Sequence, residues 1–411
     1  MMKYRKWFFY VSIVSTYLIV EGICYLGLWY IEKANNITYA PRVSALSQKQ
    51  KIYLREFLKL KKGKHVGQDP VLGWVAVSGV NSAGIRDDRE YEKIPATNTI
   101  RISAFGDSFT FGEDVELRDT WAKQLTAIDS SIEVLNYGVG AYGFDQAYLR
   151  FLQIGNEYNP HIVFIGFMSE NIARNVNVFR PFYSRMYNNA IFTKPRFKVR
   201  DGELFLLKNP LSTFEDYEHL LLNDGEVLAE LGENDYHYQI KYCSNSFDFL
   251  PSVRFAKIFL YYFKKKSLDP IFKMDGMYAV ESEAYQVTVK LFDEFYQKVL
   301  ENGALPVILI FPDINDQRSS RKNKERRYTP LLNYFQSKKY YFIDTLGALK
   351  PHESLYTVDD FTENWGHYSP IANKFIAKYI NRHLINWNIK GLPSLKNIIQ
   401  AESTRLNIKS K

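Results

Sequence analysis

The stretch Ile102 to Gly112 reads ISAFGDSFTFG: an apolar, β-forming run that breaks on Gly-Asp-Ser. A strand ending this way places Ser108 at the carboxyl edge of a sheet, where open α/β folds bind their ligands. Working outward, short apolar runs recur at Ile100–Phe105, Ile132–Tyr137, Ile162–Phe167, Pro306–Phe311 and Tyr340–Asp344. Amphipathic helical patterns lie between and after them, at Thr120–Ile128, Asp145–Ile154, Ala284–Asn302, Pro330–Gln336 and Pro370–Leu384. Near-continuous apolar strands separated by such helices predict a parallel sheet covered on both faces, a three-layer α/β/α fold.

The rhythm breaks between about residues 175 and 280, which reads as an insertion. It contains the hairpin-like RFKVRDGELFLL with Asp201-Gly202 at its turn. It also contains an aromatic and basic run, VRFAKIFLYYFKKK, from Val253 to Lys266.

Gly-Asp-Ser alone is a weak signal, and a helix N-cap after a strand is its plain structural reading. The glycine spacing is not that of the G-x-S-x-G nucleophile elbow. With three further blocks in order, however, the chain resembles the SGNH, or GDSL, hydrolase superfamily. LNYGVGAYG (Leu135 to Gly143) resembles that family's glycine block. IGFMSENIARN (Ile165 to Asn175) resembles its Asn block, although Ile172 stands where Asp often follows the Asn. WGHYSPIANKFIA (Trp365 to Ala377) resembles its His block. NSAGIRDDREY, before the first strand, resembles the lead-in of membrane-anchored members.

The resemblance implies an SGNH hydrolase-like, flavodoxin-like fold and a serine esterase. Ser108 is its nucleophile, His367 its general base and Asn171 an oxyanion donor, with the Gly140–Ala141 turn lending main-chain N–H groups. Such chemistry calls for no metal and no organic cofactor; its partner is an ester-bearing substrate on a glycan or lipid. The family usually carries an Asp two or three residues before the His, and here Trp365 and Asn364 occupy those places. The nearest acids are Glu363, Asp360 and Asp359, of which Glu363 could both orient the imidazole and stabilise its charge; Asn364 could orient it only. The departure keeps an acyltransferase, or a non-catalytic glycan-binding domain with a degenerate triad, as the alternative.

Two other readings were weighed. GVGAYG (Gly138 to Gly143) satisfies G-x-G-x-x-G after a strand, but the acid a dinucleotide site wants about 20 residues on is not there; Glu170 comes later. Arg318, Arg321, Lys322, Lys324, Arg326 and Arg327 read as a solvated basic loop or one touching anionic lipid or glycan, and not as a nucleic-acid site.

The N-terminus decides the surroundings. Trp7 to Ile31, WFFYVSIVSTYLIVEGICYLGLWYI, is long enough to cross a bilayer, has aromatic residues at both ends and carries one charge, Glu21. A cleaved signal peptide is the rival, but the apolar run is long and no A-x-A site follows closely. Lys3, Arg5 and Lys6 favour an inside N-terminus, hence a single-pass membrane protein with its catalytic domain outside the cytoplasm. Against this, Lys49 to His65 carries seven Lys/Arg and one Glu. The expected organisation is an anchor at 1–33, a basic juxtamembrane segment and lead-in at 34–99, the α/β domain at 100–388 and a tail at 389–411.

Composition bounds the rest. The chain has 411 residues, 46% of them hydrophobic, which excludes a disordered chain. Cys24 and Cys243 are too few for a disulfide framework or a four-Cys zinc site. The net charge of +8 permits an anionic surface as partner without requiring one.

Overall fold

The computed structural model describes residues 2–34, 46–60, 67–183, 190–241, 246–267, 270–389 and 391–408, without the side chains of 2–5, 32–34, 240–241 and 261–267. The chain divides into two compact units. One, helical, comprises Met1–Lys61, Asn177–Thr193 and Thr213–Pro270; the other, the α/β unit, comprises Lys62–Val176, Lys194–Ser212 and Ile271–Lys411. The segment read as an insertion divides between them, its hairpin (Arg196–Arg200 and Glu203–Leu207) belonging to the α/β unit.

The α/β unit is built on five parallel strands: β1 Ile100–Phe105, β2 Ile132–Asn136, β3 Ile162–Met168, β4 Leu305–Phe311 and β5 Phe342–Asp344. Their spatial order is β2-β1-β3-β4-β5, with Ile102 opposite Ile162 and Met168 opposite Phe311. All residues of β1, β3 and β4 are buried, as strands covered on both faces must be. The alternation of side chains splits each strand between two cores.

One face carries Ile102, Ala104, Phe164, Leu309 and Phe311, covered by α3 (Trp121–Ile128) and α8 (Pro370–Asn386). On the other face Phe167 meets α7 (Glu283–Glu301) through Phe292, and Phe144 of α4 (Phe144–Ile154) stands 4.2 Å from the same ring. This is the predicted three-layer fold. Its order reverses at β1, which pairs with both β2 and β3, so the switch-point crevice opens at the carboxyl ends of β1 and β3.

The basic run Arg318 to Arg327 is solvated in part: Arg318, Lys322 and Lys324 are exposed, whereas Arg321, Arg326 and Arg327 are half-buried. Its first residues close the helix Ile314–Arg321, and several of its charges are spent inside the unit. Arg321 donates to the carbonyls of Glu353 and Tyr356, Arg326 pairs with Asp344, and Arg327 is held between Asp313 and Asp316. For those three the expectation of a solvated loop does not hold, because carboxylates and carbonyls of other segments meet them.

In the helical unit the long helix α1 (Met2–Ala34) includes Lys6–Ile31, which is long and apolar enough to cross a membrane. Glu21 on it accepts hydrogen bonds from Ser252 at the start of α6 (Pro251–Ser267).

Candidate active site

Ser108 opens the four-residue helix α2 (Ser108–Phe111), which begins two residues after β1 ends. Asp107 caps it, accepting from the Phe109 N–H at 3.0 Å. The other end is fixed by two long-range donors to the Thr110 carbonyl, Trp121 Nε1 at 3.1 Å and Asn136 Nδ2 at 2.7 Å. Asn136 is the last residue of β2, so the glycine block that follows is fastened to the helix carrying Ser108. A methyl on Gly138 would lie 2.3 Å from the Phe111 amide nitrogen, which is why that position can only be glycine.

The segment Asp107 to Asp114 gathers the remaining candidates. Asn171, the first residue of α5 (Asn171–Arg174) after β3, is buried and donates through Nδ2 to Asp107 Oδ2 at 3.0 Å. One amide hydrogen is thus used and the second remains, while Asn171 Oδ1 is buried without a hydrogen-bond partner. Burial lifts the Asp107 carboxyl above its ordinary pKa, against the Arg174 guanidinium and the two hydrogen bonds that pull it down.

On the far side the His367 imidazole packs edge-on against Phe109, ring centres 5.3 Å apart. Its Nδ1 lies 2.7 Å from Asp114 Oδ2. A carboxylate only accepts, so Nδ1 carries the hydrogen and Nε2 is left as the basic nitrogen. The acid that orients the ring therefore stands six residues after Ser108 and 253 residues before the histidine. The sequence left the orienting residue open, with Glu363 and Asn364 as the nearby candidates; the contact is made by Asp114 instead. Those residues lie exposed in the turn before His367, where the Glu363 N–H bonds the His367 carbonyl at 2.7 Å.

The glycine turn lies on the same segment. Gly140 lies so near Glu113 that a methyl there would stand 3.2 Å from Glu113 Oε2, and its carbonyl accepts from Trp74 Nε1 at 3.0 Å. Ala141 has φ of 62°, a left-handed conformation that costs a non-glycine residue about 1–2 kcal/mol. Strain of this kind persists where surrounding structure imposes it, and it collects at working sites. Glu113 itself is half-buried; burial raises its pKa, with His367 opposing the rise and Asp114 adding to it.

Ser108 and Asn171, at the starts of short helices, and His367, Gly140 and Ala141, in loops, thus all follow strands at the carboxyl edge of the sheet, around the segment Asp107 to Asp114. Asp107, Glu113, Asp114 and Trp74 escaped the sequence reading. For Asp114 the only signal was an acid close behind the serine, and nothing in its spacing points to a histidine so far away. The αL residue Gly112 (φ 78°) turns the chain back after α2 and so brings Asp114 to the ring.

No protein-family model matches the chain, and no curated protein matches it. Among solved structures it is similar to a member of the lipolytic protein G-D-S-L family from Veillonella parvula, at 11% identity over 70% of this chain and 96% of that one, TM-score 0.31. It is also similar to a GDSL-like lipase from Bacteroides thetaiotaomicron, at 10% identity over 71% and 91%, TM-score 0.32. A third is a catalytic mutant of an acetylxylan esterase from Geobacillus stearothermophilus, at 11% identity over 69% and 93%, TM-score 0.31. Likeness at this level does not carry residues or activity across.

Proposed function

We propose that the protein is a serine esterase anchored by α1, with Ser108 as nucleophile and His367 as general base. The observation that supports this best is the His367–Asp114 pair beside the Ser108 turn, at the carboxyl ends of the strands. Ser108 Oγ attacks the ester carbonyl while His367 Nε2 takes its proton. Asp114 holds the Nδ1–H tautomer and offsets the imidazolium charge. The main-chain N–H groups of Ser108 and of the Gly140–Ala141 turn, with the Asn171 amide, are the donors assigned to the developing oxyanion on this reading. His367 then returns the proton to the leaving alcohol, and water releases the acyl group by the same steps in reverse order of proton transfer.

The degenerate-triad alternative rested on the missing acid before His367, and the contact of Asp114 with Nδ1 supports the esterase reading over it. The substrate class we favour is an ester on a glycan or lipid outside the cytoplasm, since Lys3, Arg5 and Lys6 precede the span.

The test is turnover of p-nitrophenyl acetate by the full chain in detergent, beside Ser108→Ala and His367→Ala. Turnover well above both variants is expected. A wild-type rate no higher than that of Ser108→Ala would defeat the esterase reading. Product analysis with a sugar acceptor then separates hydrolysis from acyl transfer.

A further inference from the structure

Helix α6 is joined to the apolar helix along one face. Ser252 donates to both carboxylate oxygens of Glu21, N–H to Oε2 at 2.9 Å and Oγ–H to Oε1 at 2.5 Å. Further along, Gly27 makes room for the Phe255 ring, 2.8 Å from where a methyl on Gly27 would stand, and Leu28 is buried against Ile258. The two helices therefore run in the same direction from Glu21 to Ile31. The inward positions Glu21, Cys24, Leu28 and Ile31 form one stripe of α1.

On the proposed reading of α1 as an anchor, this contact has a definite depth. A hydrocarbon core of about 30 Å takes roughly 20 residues, so a span beginning at Trp7 reaches the far boundary near Leu26. Trp29 and Tyr30 then lie at headgroup level. Glu21 lies about 8 Å inside that boundary, at 1.5 Å per residue. A carboxylate at that depth needs donors, and Ser252 supplies two.

The turn before α6 leads into Ser252, and it exposes Phe247 (61%) and Phe249 (63%). Asp248 between them is turned inward and paired with Lys257. Farther up, α6 exposes Phe259 (62%) and Leu260 (54%). Exposed aromatic residues with the intervening charge paired and turned inward suit the apolar side of a membrane interface.

We propose that the turn Phe247–Leu250 and the exposed face of α6 form a second, shallow membrane contact in the leaflet where α1 ends. The inference rests on the anchor reading and adds to it a wedge fixed to the span by the Glu21–Ser252 hydrogen bonds.

The test uses the full chain with Cys24→Ser and Cys243→Ser, reconstituted in phosphatidylcholine and phosphatidylglycerol vesicles. A bimane label is placed singly at Ser246→Cys, Leu222→Cys or Ile19→Cys, and quenching by lipids brominated high on the acyl chain is read. Quenching at Ser246 about twofold or more above that at the exposed Leu222 is expected, for insertion of 5–10 Å. Changing Phe247 and Phe249 to Asp should bring it down to the Leu222 level. Equal quenching at Ser246 and Leu222 with strong quenching at Ile19 overturns the wedge and leaves the anchor. No quenching at Ile19 overturns the anchor, whatever Ser246 shows. Undiminished quenching in the double Asp variant overturns the role given to the phenylalanines.

Discussion

Asp114 carries the sharpest consequence at the scale of single residues. If it fixes the His367 tautomer, Asp114→Ala should lower kcat for p-nitrophenyl acetate by about 10³–10⁴, as loss of the acid does in serine triads generally. Glu363→Ala, by contrast, should leave kcat within about a factor of two, because its side chain lies in the exposed turn and not against the ring. Equal losses in the two variants would return the acid to the place before the histidine. Ser108, Asn171 and His367 were legible through the blocks whose resemblance the sequence carries, and Ser108 and Asn171 also follow their strands closely. Asp114 was not, since a hydrogen bond between side chains 253 residues apart leaves no mark in either neighbourhood.

Among elements, α2 and the glycine turn are one piece of machinery, because Gly138 touches backbone and not a movable side chain. Gly138→Ala would force its methyl against the Phe111 amide, at an overpacking cost of about 1–3 kcal/mol. Since Gly140 and Ala141 follow directly, esterase activity should fall further than stability does; thermal unfolding and kcat measured on the same preparation check this. A variant that loses stability in full but keeps kcat would show the turn to be uncoupled from Ser108. The strands themselves were readable to within a residue or two, β5 least so. Tyr340 and Tyr341 extend its apolar run in sequence, yet pairing with β4 begins only at Phe342, opposite Ile308. The preceding helix ends at Lys339 in a left-handed cap, which leaves those two tyrosines in the connection.

For the α/β unit taken whole, the lead-in matters to stability. Its Asp87 is buried against Lys123 of α3, Nζ to Oδ2 at 2.6 Å, and accepts from the Tyr91 hydroxyl. Burial alone would raise the Asp87 pKa, but the lysine and the tyrosine outweigh it and hold the carboxyl below its usual value. A depressed carboxylate pKa gives stability that is present above about pH 4 and lost as pH falls through the native value. Asp87→Asn should therefore cost about 1–3 kcal/mol at pH 7. It should also flatten the acid limb of stability against pH in urea titrations below pH 4. An unchanged slope there would assign acid unfolding to other carboxylates.

The tie between His367 and Asp114 also sets when activity can arise. The serine and the acid come together early in the chain, on β1 and the turn behind α2, whereas the base follows the last strand. Closing so long a loop is the slow entropic step, and it waits on β5 and α8 being in place. During synthesis or refolding, helical signal should return before esterase turnover does. On the proposed reading, turnover would report that the sheet is complete to its final edge, and a chain halted short of that edge should be silent.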